Sequence, residues 1–308
     1  MTYDLIIIGG GPAGIAAGVY AARKCLSTLL ITEEIGGQST VSTGIENWIG
    51  TPKISGMDLA KSFREHLASV QRDMVTLSEG DRVTELKKDG EYFIATTKKG
   101  VVHKGKSVLI ASGASRKKLT IPGADIFEHK GVTYCASCDG PMFTSADVAV
   151  IGGGNAGFES AAQLLAYAKS VTLLHRRDDF KADAITVRTV TSHKNMRILT
   201  SVEPTEVIGE QFVQGLRYKN LKTGEVEEIS VSGIFVEIGV IPSTDFARTL
   251  VHTDIAGHIV VNPKNQRTSV EGVWSAGDAT DELYHQNNIA AGDGVKALED
   301  IYLWLKTK

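Results

Sequence analysis

The feature that most constrains this chain of 308 residues is an apolar run followed by a glycine-rich turn, and it occurs twice. Residues 5–8 read LIII and residues 9–14 read GGGPAG, while residues 148–151 read VAVI and residues 152–157 read GGGNAG. Each copy predicts a buried parallel strand, a tight turn and a helix whose free N-terminal amides face a phosphate. The spacing G-x-G-x-x-G in this context is typical of dinucleotide binding. We therefore predict two dinucleotide-binding domains of the α/β class.

Both copies continue in a similar way along the chain. A β-rich stretch of alternating residues follows each copy, at about residues 74–104 and 196–231, and a buried strand then ends at a glycine. Those strands lie at residues 108–113 and 234–239. A further short strand at residues 272–278 ends on a carboxylate, where doubly wound sheets bind ligands. Residues 287–306 are apolar at helical spacing and predict a closing amphipathic helix.

The charges that follow the second strand of each copy differ. An acid pair, Glu33 and Glu34, stands there in the first copy, and an arginine pair, Arg176 and Arg177, stands at the same spacing in the second. A carboxylate suits the free ribose 2′-hydroxyl of FAD, and paired guanidinium groups suit the 2′-phosphate of NADPH. The alternative is that both pairs are solvated strand ends. We favour FAD in the first site and NADPH in the second.

Two thiols and a carboxylate, Cys135, Cys138 and Asp139, stand just before the second copy. A C-x-x-C pair is half of a zinc site, a structural disulfide or a redox dithiol. Zinc needs about four ligands, and the only other cysteine is Cys25, which we expect to be buried on the first helix, so we predict no metal site. A purely structural disulfide is disfavoured, because it would close a very short loop in a reducing compartment. A redox dithiol is favoured, with Asp139 as a proton donor.

Composition excludes several other functions. The net charge is −3 without a block of like sign, which argues against a nucleic-acid partner. No apolar run approaches the ~20 residues that span a bilayer, so we predict no membrane segment. Three cysteines and a start without a charged leader lead us to expect a cytoplasmic protein.

Taken together, these motifs resemble those of the low-molecular-weight thioredoxin reductases of the pyridine nucleotide-disulfide oxidoreductase family. The segments that carry the resemblance are residues 9–14, 36–38 (GGQ), 46–48 (ENW), 111–113 (ASG), 135–139, 152–157, 175–177 (HRR) and 277–278 (GD). The resemblance runs end to end. It implies a homodimer of chains with two Rossmann-like domains of the three-layer ββα type, the second inserted into the first. We place the FAD domain at residues 1–114 and 245–308, and the NADPH domain, which carries the dithiol, at residues 115–244.

The resemblance also implies a mechanism. Hydride passes from NADPH to FAD, then to the Cys135–Cys138 disulfide, and then to thioredoxin or a thioredoxin-like protein, while the inserted domain rotates between two orientations. Cys138 would be the thiol next to the flavin, Cys135 the thiol that attacks the substrate disulfide, and Asp139 the acid/base.

The binding residues that we predict follow from the motifs and the resemblance together. For FAD they are Gly9, Gly11, Pro12, Ala13, Gly14, Glu33, Glu34, Gly36, Gly37, Gln38, Asn47, Ala111, Ser112, Gly113, Gly277, Asp278, His285 and Gln286. For NADPH they are Gly152, Gly154, Asn155, Ala156, Gly157, His175, Arg176, Arg177 and Lys181.

Three positions depart from the pattern of thioredoxin reductases. His285 and Lys181 stand where arginine is usual, and Gly157 stands where NADPH-dependent forms often have alanine. Residues 138–143 (CDGPMF) are also similar to the reductase domain of the alkyl hydroperoxide reductase flavoprotein, whose thioredoxin-like N-terminal unit this sequence lacks. We therefore expect a separate acceptor protein.

Other functions remain open from the sequence. They are a reductase of a glutaredoxin-like or peroxidase-system partner, an oxidase that forms disulfides in a small metabolite, a family member with another electron donor, and a flavin-binding redox sensor without catalysis.

Overall fold

The protein is described by a computed structural model over residues 2–42, 44–180 and 182–307. The chain divides into two compact units. Unit 1 runs up to Ser115 and resumes at Ile241, and unit 2 is Arg116–Val240. Lys181, one of the predicted nucleotide-binding residues, lies outside the described residues.

Both units contain strands, α-helices and short 3₁₀ helices. In chain order the strands are β1 (Thr2–Gly10), β2 (Thr28–Ile35), β3 (Val75–Glu79), β4 (Val83–Asp89), β5 (Tyr92–Thr97), β6 (Val102–Ile110), β7 (Ala114–Arg116), β8 (Val132–Thr133), β9 (Asp147–Ile151), β10 (Ser170–Leu174), β11 (Met196–Leu199), β12 (Val202–Gly209), β13 (Val213–Asn220), β14 (Val226–Ser230), β15 (Gly233–Val236), β16 (Val240–Pro242) and β17 (Val273–Ser275). The α-helices are α1 (Pro12–Arg23), α2 (Gly56–Gln71), α3 (Ala136–Asp139), α4 (Asn155–Leu164), α5 (Ala184–Thr191) and α6 (Asn287–Lys306). Short 3₁₀ helices lie at Gly37–Val41, Gly140–Phe143, Asp245–Ala247 and Gly277–Ala279.

Unit 1 is built from three layers. Its sheet has the order β3-β2-β1-β6-β5-β4, with β17 also paired to β6. The strands β1, β2, β3, β6 and β17 are parallel, and β4, β5 and the start of β6 form an antiparallel meander. Leu5 and Ile7 belong to the core with the helices, whereas Ile6 and Ile8 belong to the core with the meander. Because β1 is covered on both faces, all four positions are apolar.

Unit 2 repeats the same architecture. Its parallel sheet has the order β11-β10-β9-β15-β8, and β12, β13 and β14 form a separate antiparallel sheet. Val148 and Val150 of β9 pack with residues of α4, while Ala149 and Ile151 pack with Leu216 and other residues of the antiparallel sheet. The predicted fold class, α/β with two Rossmann-like domains, is confirmed.

The segments that leave and re-enter unit 1, β7 and β16, pair as a two-stranded sheet. The predicted closing helix is confirmed as α6. The prediction for Cys25 is wrong, because α1 ends at Arg23 and Cys25 is exposed with φ +54, while Leu26 takes the buried position after the turn.

No helix within the described residues combines the length and apolar character needed to cross a membrane.

Candidate dinucleotide and dithiol sites

In the glycine turn of unit 1, two glycines are required by packing and a third is not. Gly9 has φ +114, and a Cβ there would overlap the carbonyl of Ala111. A Cβ on Gly14 would overlap the carbonyl of Gly9. Gly11 differs, because a Cβ there would meet nothing within 4 Å. The first and third glycines are therefore required by strand and helix packing, and the second leaves its backbone open to a ligand.

The glycine turn of unit 2 has the same arrangement. Gly152 has φ +129, and its Cβ would overlap the carbonyl of Glu237. A Cβ on Gly157 would overlap the carbonyl of Gly152, while one on Gly154 would meet nothing within 4 Å. Two turns in one chain thus keep a middle glycine that packing does not need. Close approach of a pyrophosphate to the backbone is the requirement that such a glycine meets.

Unit 1 has a cleft of about 570 Å³ at the carboxyl ends of its parallel strands. The register aligns Ile8 with Ile31 and Ile110, and Ile110 with Ser275, so the segments after these strands lie side by side. This volume is within the range of small-molecule sites. The predicted flavin residues that line the cleft are Gly9, Gly11, Pro12, Ala13, Glu33, Glu34, Gly37, Gln38, Ala111, Ser112, Gly113, Gly277 and Asp278.

Other predicted flavin residues lie outside the lining. Those residues are Gly14, Gly36, Asn47, His285 and Gln286. Gly14 is inside α1, and Gly36 has φ +101, with space for a Cβ blocked by Ala60 at 2.6 Å. Asn47 Nδ2 donates to Gln286 Oε1 at 3.1 Å, which joins the loop after β2 to the start of α6.

Several lining residues were not predicted from the sequence. They are Ile8, Gly10, Ile31, Thr32, Ser39, Arg82, Val83, Thr84, Ala114, Ile241, Pro242, Ser243, Asp245, Phe246, Ala276, Asn287 and Ala290. Arg82 places its Nε 3.9 Å from Glu33 Oε1, although the two residues are far apart in the sequence. A few of these residues lie next to a predicted motif, but nothing in the sequence around Arg82 or Phe246 indicates that they line a cleft.

The residues of the cleft fit a dinucleotide. Ser112 Oγ is buried and has no hydrogen-bond partner among the described residues, and Ser112 lines the cleft. The backbone at Gly11 and Gly113 is open on the side where a Cβ would stand. A polar hydroxyl without a partner and two open backbone segments are what the phosphates and sugars of a dinucleotide require.

The predicted nucleotide residues of unit 2 meet at one edge of its sheet. Ile151 pairs with Leu174 and with Val236, so the segments that begin at Gly152, His175 and Glu237 are neighbours. The His175 ring would stand 2.7 Å from a Cβ on Gly153, and its Nε2 lies 3.0 Å from the carbonyl oxygen of Asp179. The exposed pair Arg176 and Arg177 follows directly. Asn155 and Ala156, both exposed, begin α4 after the turn.

The two predicted thiols form a disulfide in this structure. The Cα atoms of Cys135 and Cys138 are 5.3 Å apart, and both residues are half-buried. Cys135 caps the short helix α3, where its Sγ accepts a hydrogen bond from the amide of Cys138 at 3.2 Å. Ser137 Oγ, between the two cysteines, donates to Gln163 Oε1 of α4 at 3.0 Å. The disulfide is therefore anchored to the helix that follows the glycine turn.

Asp139 is held close to the disulfide by a residue that sequence reasoning missed. The buried Thr133 donates its hydroxyl hydrogen to the Asp139 carboxylate. The amide of Cys135 in turn donates to Thr133 Oγ1 at 3.4 Å. Thr133 thus connects the predicted acid/base to the backbone of the predicted attacking thiol.

Comparison with known proteins identifies the family of this chain. The sequence profile of the pyridine nucleotide-disulphide oxidoreductases matches residues 3–294. The chain belongs to this family. Among its relatives, a component of alkyl hydroperoxide reductase in Staphylococcus epidermidis is 40% identical over 295 residues, which is 96% of this chain and 57% of the relative. The same protein of Staphylococcus aureus matches to the same extent, so the chain spans 57% of the length of these relatives.

Solved structures of similar proteins cover the whole chain. Thioredoxin reductase from Streptococcus pyogenes has a TM-score of 0.90 at 34% identity, covering 100% of this chain and 99% of that one. Thioredoxin reductase from Giardia duodenalis has a TM-score of 0.92 at 32% identity, covering 99% of both chains. The resemblance to thioredoxin reductases is confirmed, and the chain is an oxidoreductase of a family that uses flavin and pyridine nucleotides.

Proposed function

We propose that this chain is an NADPH-dependent, FAD-containing disulfide reductase of the thioredoxin-disulfide reductase type, whose acceptor is thioredoxin or a thioredoxin-like protein. The observation that carries the proposal is the pair of glycine turns with a middle glycine that packing does not require, in a chain that also carries an anchored C-x-x-C disulfide. A chain that only bound flavin would not need the second turn and the dithiol together.

Each unit has its own binding task in this proposal. Unit 1 holds FAD in its cleft, with Glu33 for the ribose and Ser112 for a polar group of the cofactor. Unit 2 holds NADPH at the turn that begins at Gly152, with Arg176 and Arg177 for the 2′-phosphate. When bound, the two cofactors supply hydride transfer, which no side chain provides.

The residues of the chain carry out the thiol exchange. The Cys135 thiolate attacks one sulfur of the acceptor disulfide and releases the other as a thiolate, which takes a proton. The Cys138 thiolate then attacks Cys135 Sγ, which re-forms the Cys135–Cys138 bond and releases the acceptor as a dithiol. Asp139, held by Thr133, accepts and returns the proton at this site. The similarity of the whole chain to thioredoxin reductases supports a dithiol exchange of this kind.

The experiment that tests the proposal is purification with a visible spectrum, followed by turnover with NADPH and a thioredoxin. We expect a yellow protein whose flavin is bleached by NADPH and which reduces thioredoxin. The Cys135→Ser variant should still be bleached but should not reduce the acceptor. A colourless protein unable to bind FAD would refute the proposal, and wild-type turnover by Cys135→Ser would refute the role of the dithiol.

A second acceptor is favoured by the relatives. Proteins named as components of alkyl hydroperoxide reductase are 40% identical to this chain. An acceptor that serves a peroxidase system is therefore the alternative partner, reduced by the same dithiol chemistry. Turnover numbers measured with a thioredoxin, a glutaredoxin and a peroxidase-system disulfide protein, each at equal concentration, distinguish these partners. A parallel titration with NADPH and NADH tests the electron donor.

We also propose that two copies of this chain associate through unit 1. Ile49 and Leu283 are 83% and 79% exposed. They lie on neighbouring segments, because the amide of Ile49 donates to Asn288 Oδ1 at 3.4 Å, shortly after Leu283 in the chain. Exposed apolar side chains on neighbouring segments are suited to an association surface, because pairing with a second copy would remove them from water. Sedimentation equilibrium of the wild type and of Ile49→Asp tests the dimer, which the variant should weaken.

The cytoplasmic location stays a prediction.

A further inference from the structure

A buried carboxylate in unit 2 stands where unit 1 has an alanine. The carbonyls of Ala111 and Glu237 occupy the same place in the two units, since each would be overlapped by a Cβ on the first glycine of its turn. Ala111 lines the cleft of unit 1. The side chain of Glu237 is only 8% exposed. The repeated module does not need an acid at this position. The role of Glu237 is therefore to be sought in a feature that unit 2 has and unit 1 lacks.

Glu237 is bound on both carboxylate oxygens. Ser160 Oγ of α4 donates to Oε1 at 2.7 Å, and Arg116 Nη1 lies 3.4 Å from Oε2. Burial raises the pKa of Glu237 above its ordinary value, and the Arg116 charge and the Ser160 hydrogen bond oppose that rise. A buried acid is costly to a fold unless it is paired, so the position of Arg116 is tied to that of Glu237.

Arg116 reaches the disulfide loop as well. The same Nη1 atom donates to the carbonyl oxygen of Tyr134, the residue directly before Cys135. On the other side of the loop, Ser137 is bound to Gln163 of α4, the helix that also carries Ser160. The cysteine pair is therefore held from two sides by groups that converge on Glu237. Unit 1 has no disulfide to hold, and it has no acid at the corresponding position.

We propose that Arg116 and Glu237 are positioning residues for the Cys135–Cys138 pair: Glu237 holds the Arg116 guanidinium, and Arg116 fixes the Tyr134 carbonyl and with it the backbone of Cys135. A fixed backbone keeps the two sulfur atoms at bonding separation, which favours the closed disulfide and orients the attacking thiol. This inference rests on the proposed function only in taking the dithiol as the redox group.

The direct test is the equilibrium between the disulfide and dithiothreitol in the FAD-loaded protein, with free thiols trapped by a maleimide and counted by mass. We expect Arg116→Met to lower the equilibrium constant for disulfide formation about tenfold, because the loop loses one of its two anchors. Glu237→Gln keeps an oxygen for Ser160 but loses the charge that holds Arg116, and its effect should be smaller, about threefold. Lys117→Met is the matched control, since it removes a neighbouring exposed cation without an ion pair among the described residues, and its constant should equal that of the wild type.

Steady-state kinetics give an independent readout. Arg116→Met should lower kcat with the disulfide acceptor about tenfold while the KM for NADPH and the flavin content stay at wild-type values. A general loss of structure would lower flavin content and the unfolding temperature instead. Arg116→Lys keeps the cation beside Glu237 and should recover part of the lost equilibrium constant.

The double variant Arg116→Met with Glu237→Gln guards against misfolding, because it leaves no unpaired buried carboxylate. Its constant should match that of Arg116→Met alone, since the two residues act through one contact. A double variant with the wild-type constant, or a Lys117→Met control that falls as far as Arg116→Met, overturns the positioning role. If the wild type reduces no protein disulfide while Arg116→Met still shifts the dithiothreitol equilibrium, the positioning role stands and the proposed function fails.

Discussion

Units 1 and 2 meet the same backbone requirements with different side chains at the carboxyl ends of their strands. In both units the first and third glycines of the turn are demanded by carbonyl groups that leave no room for a Cβ, and the second glycine faces open space. The acids Glu33 and Glu34 follow the first turn, and Arg176 and Arg177 follow the second. In the proposed function, strand, turn and helix provide a dinucleotide site in each unit, and the charged side chains that follow the second strand select the dinucleotide.

The largest expected effect comes from the first glycine of each turn. Gly9→Ala and Gly152→Ala force a Cβ into a backbone carbonyl at a positive φ, so each should lower the free energy of unfolding by about 3 kcal/mol. Urea unfolding with flavin fluorescence as a second signal checks this. Only Gly9→Ala should also release FAD. The control is Gly292→Ala, exposed within α6 with open space around it, which should not destabilise.

The second glycines should separate binding from stability. Gly11→Ala and Gly154→Ala add a Cβ in open space, so each should change the free energy of unfolding by no more than about 1 kcal/mol, as expected for a helix N-cap. Gly11→Ala should weaken FAD binding about tenfold, and Gly154→Ala should weaken NADPH binding about tenfold, by calorimetry on the apoprotein and holoprotein respectively. Loss of both ligands in one variant would show that the two turns are not independent sites.

The charge contrast between the units predicts nucleotide selectivity. Replacing Arg176 and Arg177 by alanine should raise the KM for NADPH about 10-fold to 100-fold, because a hydrogen bond to a charged group contributes about 1.5 to 3 kcal/mol. The KM for NADH should change little, since NADH has no 2′-phosphate. Arg197→Ala, which removes another exposed arginine of unit 2, is the control. Equal changes for both nucleotides would contradict the assignment of the arginine pair.

The smallest effect is a pH dependence that unit 2 has and unit 1 lacks at the equivalent position. Burial raises the pKa of Glu237, so the unfolded chain loses this proton at lower pH than the folded chain. Below about pH 4.3 both states hold the proton, and above the folded-state pKa both have lost it. Between these limits stability falls as pH rises, because the unfolded state ionises first.

Urea unfolding of wild type and Glu237→Gln at several pH values measures this effect. The stability of the wild type relative to the variant should decline from about pH 4.3 upward and then level off. Glu210→Gln, which removes an exposed acid of the same unit, controls for net charge. If the difference in free energy of unfolding between the wild type and Glu237→Gln did not vary with pH, ionisation of Glu237 would not destabilise the folded protein.

Much of the architecture was predictable from the sequence because its causes are local. The run LIII becomes β1 because both faces of that strand are covered, and Gly9 and Gly14 of GGGPAG stand where carbonyl groups exclude a Cβ. The closing helix α6 followed from apolar spacing alone. Cys25 shows the limit of this reasoning, since its exposure depends on a single left-handed residue after α1, which the sequence pattern did not reveal.

By itself, the sequence determined two glycine turns between strand and helix, opposite charges beside them and a pair of cysteines, because each of these requirements acts within a few residues. Only the tertiary structure decided that Arg82 lines the cleft of unit 1, that Thr133 binds Asp139, and that Arg116 meets Glu237 across 121 positions of chain. Contacts between distant segments depend on which strands become neighbours in the sheet, and a local pattern of residues carries no record of that order.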